Sequence, residues 1–143
     1  MQGVSEASQR HGWAWIALTL ALAVHVADEA LTDFLSVYNP AVRAIRQRLP
    51  LLPLPTFTFM IWLTGLIALV LLLLVLSRLV FRGARPMVPL SYLLGGIMLA
   101  NGLGHIAGSL YLKRLMPGVY SAPLLLVSSV YLMAQARRVA QTR

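Results

Sequence analysis

The chain has 143 residues, 59% of them hydrophobic and 11% charged, with no cysteine and a formal net charge of +8. A mean hydropathy of +0.77 excludes an ordinary soluble globule and leaves room for one small membrane-embedded domain. Without thiols there is no disulfide framework, and any metal site has to use nitrogen and oxygen donors.

The basic residues fall in short groups between apolar stretches, at Arg43/Arg46/Arg48, Arg78/Arg82/Arg85, Lys113/Arg114 and Arg137/Arg138. Charges so placed flank membrane spans and meet lipid headgroups, so membrane lipids are the expected partners and nucleic acid is not. A bilayer core of ~30 Å needs ~20 helical residues, and four stretches meet or approach that length. The composition therefore predicts an all-α fold, a four-transmembrane-helix bundle in a single domain over 1–143.

The first span is expected over 13–38, ended by Asn39-Pro40. A cleaved leader over 1–24 fits less well, because apolar residues resume after the acidic group with Ala30, Leu31, Phe34, Leu35 and Val37. In 40–49, Val42, Ile45 and Leu49 share one helical face and Arg43, Arg46 and Gln47 the other, which predicts a short amphipathic segment along the interface. Prolines 50, 53 and 55 precede the second span, 56–80. Arg82 to Pro86 separate it from the third, 87–112, and Met116-Pro117-Gly118 makes a tight turn before the fourth, 119–135. Both termini then share a side. The Arg and Lys distribution places them in the cytoplasm of a bacterial-type plasma membrane, by a narrow margin.

Three of the four acidic residues, Asp28, Glu29 and Asp33, lie in six residues that continue the first apolar stretch. Intramembrane carboxylates are costly, so they mark a functional site. His25 and Glu29 are i and i+4, with Asp28 at i+3 from the histidine, so the three share a face. On the third span Asn101, His105 and Ser109 form one row, beside a small-residue row of Ala100, Gly104 and Gly108 that permits close helix approach within the chain or in a homodimer. The first and third spans run the same way. His25–Glu29 lie roughly 18–24 Å from the start of one and Asn101–His105 roughly 20–26 Å from the start of the other.

Two imidazoles, two carboxylates and a carboxamide at one depth suit a divalent metal, Zn, Mn or Fe. The expected ligands are His25, Glu29 and His105, with Asp28 as a further candidate, and the same four residues are the candidate catalytic groups. Asn101 and Tyr120 are placed to orient them. Asp33 is expected to be solvated at the interface and His11 to sit at headgroup level before the span. Trp13, Trp15, Tyr38, Tyr92, Tyr111 and Tyr120 are read as interfacial aromatics, and the run from Leu69 to Leu76 as lipid-facing.

The chain resembles the HXXEE-motif membrane proteins, a family marked by H-x-x-E-E, a later N-x-x-x-H and a Y-x-P-G turn. Here these are His25-Val26-Ala27-Asp28-Glu29, Asn101-Gly102-Leu103-Gly104-His105 and Leu115-Met116-Pro117-Gly118. Asp28 replaces the first glutamate and Leu115 the tyrosine, so the resemblance supports Glu29 more firmly than Asp28. It implies an integral membrane protein and names no reaction. Three function classes follow: a metal-dependent enzyme acting on a lipid or other apolar substrate, a metal-free acid–base isomerase or cyclase of an isoprenoid-like substrate, and a non-enzymatic ion- or proton-handling or structural protein. The first is preferred, because two histidines with two carboxylates exceed what a proton relay needs.

Overall fold

Buried positions on the first helix alternate by four and three residues: His11, Trp15, Leu18, Leu22, His25 and Glu29. That is the spacing of a near-parallel helix seam. The computed structural model describes residues 2–142 and is all-α: α1 Gln2–Leu31, α2 Phe34–Arg48, α3 Phe59–Phe81, α4 Met87–Leu112 and α5 Ala122–Gln141.

The predicted first span, 13–38, is cut earlier than expected. The chain turns at Asp33, which takes a left-handed φ of 57°, and the Thr32 hydroxyl donates to the Asp28 carbonyl at 2.6 Å. Pro40 does not end a helix but lies inside α2. The segment is fastened from outside the helix: the Asn39 side chain donates to the Phe57 carbonyl at 2.9 Å and accepts from the Phe57 N–H at 3.0 Å. The expected amphipathic segment is thus the second half of a longer helix, with Val42 buried and Arg43 and Arg46 exposed.

Three helices are long and apolar enough to cross a membrane, over Glu6–Leu31, Phe59–Phe81 and Met87–Leu112. The fourth predicted span forms as α5 but falls short in composition, because Ser128, Ser129, Gln135, Arg137 and Arg138 interrupt its apolar character.

α1 packs along α3 and α5, and α4 packs along α5, so α5 separates α1 from α4 over most of their length. α4 approaches α5 through Gly95 and Gly102, where an added Cβ would stand 2.7 Å from the Met133 side chain and 2.9 Å from that of Leu126. These two notches, rather than the Ala100/Gly104/Gly108 row, set the close contact. Gly104 has nothing within 4 Å of its Cβ position, while Met116 fills the space at Gly108.

α1 and α4 nevertheless run parallel and in register. His11 Nε2 meets Ser91 Oγ at 2.8 Å, and 14 residues further along each helix, about 21 Å, the rings of His25 and His105 pack with centroids 4.8 Å apart. His11, expected before the span, is enclosed by the protein at 1% exposure.

Trp15 and Leu73 also depart from expectation. Trp15 is fully buried and its indole N–H donates to the Leu73 carbonyl at 2.8 Å. Leu73 is buried between the exposed Leu71, Leu72 and Val75. An indole in an apolar interior needs an acceptor, and this one ties α1 to α3. Trp15→Phe is expected to cost about 1–3 kcal/mol by removing a buried hydrogen bond, read as a lower thermal-unfolding midpoint in detergent, while Trp13→Phe at the exposed neighbour leaves the midpoint unchanged.

Candidate functional site

The site lies where the C-terminal turns of α1, the last third of α4 and the loop before α5 converge. Two hydrogen bonds shape that loop: the Ser109 hydroxyl donates to the His105 carbonyl at 2.7 Å and accepts from the Met116 N–H at 3.0 Å. Lys113 ends α4 in a left-handed conformation, φ 51°, and Gly118 turns the chain again at φ +83°. Gly118 is required on two counts. Its backbone is left-handed, and a Cβ there would lie 2.8 Å from His105 Cε1, 2.9 Å from His105 Nδ1 and 3.0 Å from His25 Cε1. The Pro-Gly turn is thus the wall against which both imidazoles rest.

His25, Glu29 and His105 are all buried, and one donor atom from each lies within 4.8 Å of the others. Glu29 Oε1 is 3.1 Å from His105 Nε2 and 3.6 Å from His25 Nε2. Both carboxylate–imidazole edges are close to the roughly 3.3 Å expected between donors on a tetrahedral ion with bonds of about 2.0–2.1 Å, while the set as a whole spreads to 4.8 Å, so the two imidazoles would draw together on an ion.

Asp28 faces away from this cluster. Its Oδ2 accepts both the Ser121 N–H at 2.9 Å and the Ser121 hydroxyl at 2.7 Å. The same hydroxyl oxygen is 2.8 Å from His25 Nδ1 and 3.2 Å from the Gly118 carbonyl. A hydroxyl has a single hydrogen, and an ionised Asp28 and the Gly118 carbonyl can only accept it. With Asp28 ionised, Ser121 Oγ is left to accept from His25, an assignment that puts the proton of a neutral imidazole on Nδ1. His25 Nε2 is buried and 3.6 Å from Glu29 Oε1, and the Asn101 side chain interacts with the same ring. His105 Nδ1, against Gly118, is also buried, without a hydrogen-bond partner.

Asn101 and Tyr120, the expected orienting residues, separate. Asn101 lines a cavity of about 340 Å³ with Glu29, Phe34, Ala100, Gly104, His105 and Met116. Tyr120 is 69% exposed and stands outside the cluster. The residue that orients His25 is its neighbour Ser121, which sequence reasoning missed. The one available signal was a serine before Ala-Pro, a helix-start pattern, and it does not reveal which way the hydroxyl points. Asp33 is exposed, as expected.

The comparisons with known proteins agree with the motif reading. A family described as "Protein of unknown function with HXXEE motif" matches residues 15–132. No curated protein and no solved structure matches the chain. Gly118→Ala is expected to lower the unfolding midpoint by the equivalent of about 1–2 kcal/mol for the left-handed backbone alone, with a larger drop from the imidazole clash. His105→Ala in the same background opens space and recovers part of the loss.

Proposed function

Because the chain belongs to the HXXEE-motif family, whose function is unknown, its role has to be argued from its own site. We propose that it is a membrane-embedded enzyme in which His25, Glu29 and His105 hold a divalent ion, Zn, Mn or Fe, and act on a lipid or another apolar substrate. The observation that carries this reading is the cluster itself: His25, Glu29 and His105 are buried with one donor atom of each within 4.8 Å of the others. Ser121 and Asp28, hydrogen-bonded in series to His25 Nδ1, leave its Nε2 turned to that cluster. Carboxylate–histidine chains of this kind fix ring orientation and raise ligand basicity at metal sites.

Charge supports the same reading. Glu29 is 4% exposed, and no lysine or arginine pairs with it or with Asp28 among the described residues. A divalent ion at the cluster would supply the positive charge that the buried Glu29 and the half-buried Asp28 find in no basic side chain. Two histidines and one carboxylate leave coordination positions open, as in catalytic rather than structural sites. An ion held there supplies Lewis acidity and a water of lowered pKa. The chain's own residues supply the rest: Glu29 brings the ligand set to the cavity wall, Asn101 offers a carboxamide to a substrate oxygen, and Phe34 and Met116 exclude water.

The 3.1 Å contact between His105 Nε2 and Glu29 favours a second reading, a metal-free acid–base pair that isomerises an isoprenoid-like substrate. Metal content decides between them. Protein purified in mild detergent without chelator is expected to carry about one equivalent of a transition metal, and a folded His25→Ala/His105→Ala variant none; a metal-free native chain would leave the acid–base reading. Ser121→Ala is expected to weaken metal affinity by roughly 10–100-fold, with Ser121→Thr close to wild type.

A further inference from the structure

A second apolar cavity, also about 340 Å³, adjoins the site. Phe34, Tyr38, Phe57, Ile61, Trp62, Gly65 and Leu66 line it. Phe34 belongs to both cavities. Its ring lies 5.8 Å from that of His105 on one side and 5.9 Å from that of Trp62 on the other. The left-handed turn at Asp33 puts Phe34 there, as the first residue of α2. One phenyl ring therefore stands between a mostly apolar pocket whose lining includes Glu29, Asn101 and His105 and an aromatic groove between α2 and α3.

Each cavity also has one wall without a side chain. An added Cβ at Gly104 or at Gly65 would meet nothing within 4 Å. Gly95 and Gly102 fit against α5, whereas Gly65, Gly96 and Gly104 leave open space, and of these Gly65 and Gly104 line the two cavities on either side of Phe34.

We infer that the two cavities form one binding site for a single-chain amphiphile, with its polar end at Glu29, Asn101 and His105 and its hydrocarbon chain laid past Phe34 into the groove lined by Trp62 and Gly65. The inference rests on the proposed apolar substrate and adds its class and orientation: a long chain carrying an uncharged oxygen function at one end. Continuity through Phe34 commits the groove to this occupant, because a chain anchored at the Glu29 pocket has the aromatic groove as its adjoining apolar space. Selectivity for chain length then lies with Gly65, and admission of the polar end with Gly104.

The test uses the full chain in detergent and a long-chain alkanol brominated at its tail, with a short-chain bromoalkanol for comparison. Bromine quenches indole fluorescence on contact, and Trp62 lines the groove. The long chain is expected to quench saturably, the short one not to saturate, and Trp62→Phe to remove the saturable part. Leucine at either open glycine favours the helix and fills the cavity, so Gly65→Leu and Gly104→Leu are each expected to keep the unfolding midpoint and to weaken the saturable phase by at least about tenfold.

Quenching that never saturates would show only bulk partitioning and overturn the inference. Saturable quenching untouched by Gly104→Leu would also overturn it, since the groove would then fill independently of the Glu29 pocket. Metal content measured on the same samples separates the two proposals: saturable quenching without metal removes the metal reading alone, and metal without saturable quenching removes the groove alone.

Discussion

Where Ser121 places its one hydroxyl hydrogen determines the chemistry of the cluster. Given to Asp28 or to the Gly118 carbonyl, it obliges His25 to donate from Nδ1 and exposes Nε2 toward Glu29 and His105. This polarity is the reverse of a serine nucleophile, whose oxygen must surrender its proton to the imidazole. In the proposed metal site, the Asp28, Ser121 and His25 chain would prepare a ligand rather than activate a hydroxyl. Everything else at the site acts to hold that arrangement: the Gly118 turn walls in the rings, and Ser109 fastens the loop that carries it.

The parallel register of α1 and α4 matters because the two helices scarcely touch. α5 fills the space between them, and the contacts at His11–Ser91 and His25–His105 occur at its edges. Each joins positions separated by the same 80 residues. A shift of either helix by one residue rotates its side chains by about 100° at 3.6 residues per turn and would break both contacts together. One hydrogen bond and one imidazole edge contact at matched spacing fix helix register in an apolar surrounding where packing alone discriminates weakly.

Much of the site was legible in the sequence because it depends on local periodicity. The i, i+4 spacing of His25 and Glu29, and the equal depth of His105 on a helix running the same way, are consequences of helix geometry. The Pro117-Gly118 turn was visible for the same reason. What failed depended on tertiary context. Pro40 reads as a helix end, yet the Asn39 carboxamide clamped to Phe57 holds it within one. Trp15 has the composition of an interfacial aromatic, but its placement follows from a carbonyl 58 residues away. The Asp33 break was hidden by apolar residues on both sides of it. Tyr120 was expected to orient the cluster, and one step along the chain reverses which side chain points inward: Ser121 is the buried one that meets His25.

The notches at Gly95 and Gly102 have a mechanical consequence for the cluster. The hydroxyl that sets the His25 tautomer belongs to neither histidine's helix but to the leading edge of α5. Its position along the bundle axis is set by Met133 and Leu126 seated at those two glycines. α5 is thus indexed against α4 like a bolt in two detents, and the donor set at one end of the molecule is aligned by small-residue contacts that begin roughly 15 Å away along α4, at 1.5 Å per residue from Gly95 to His105.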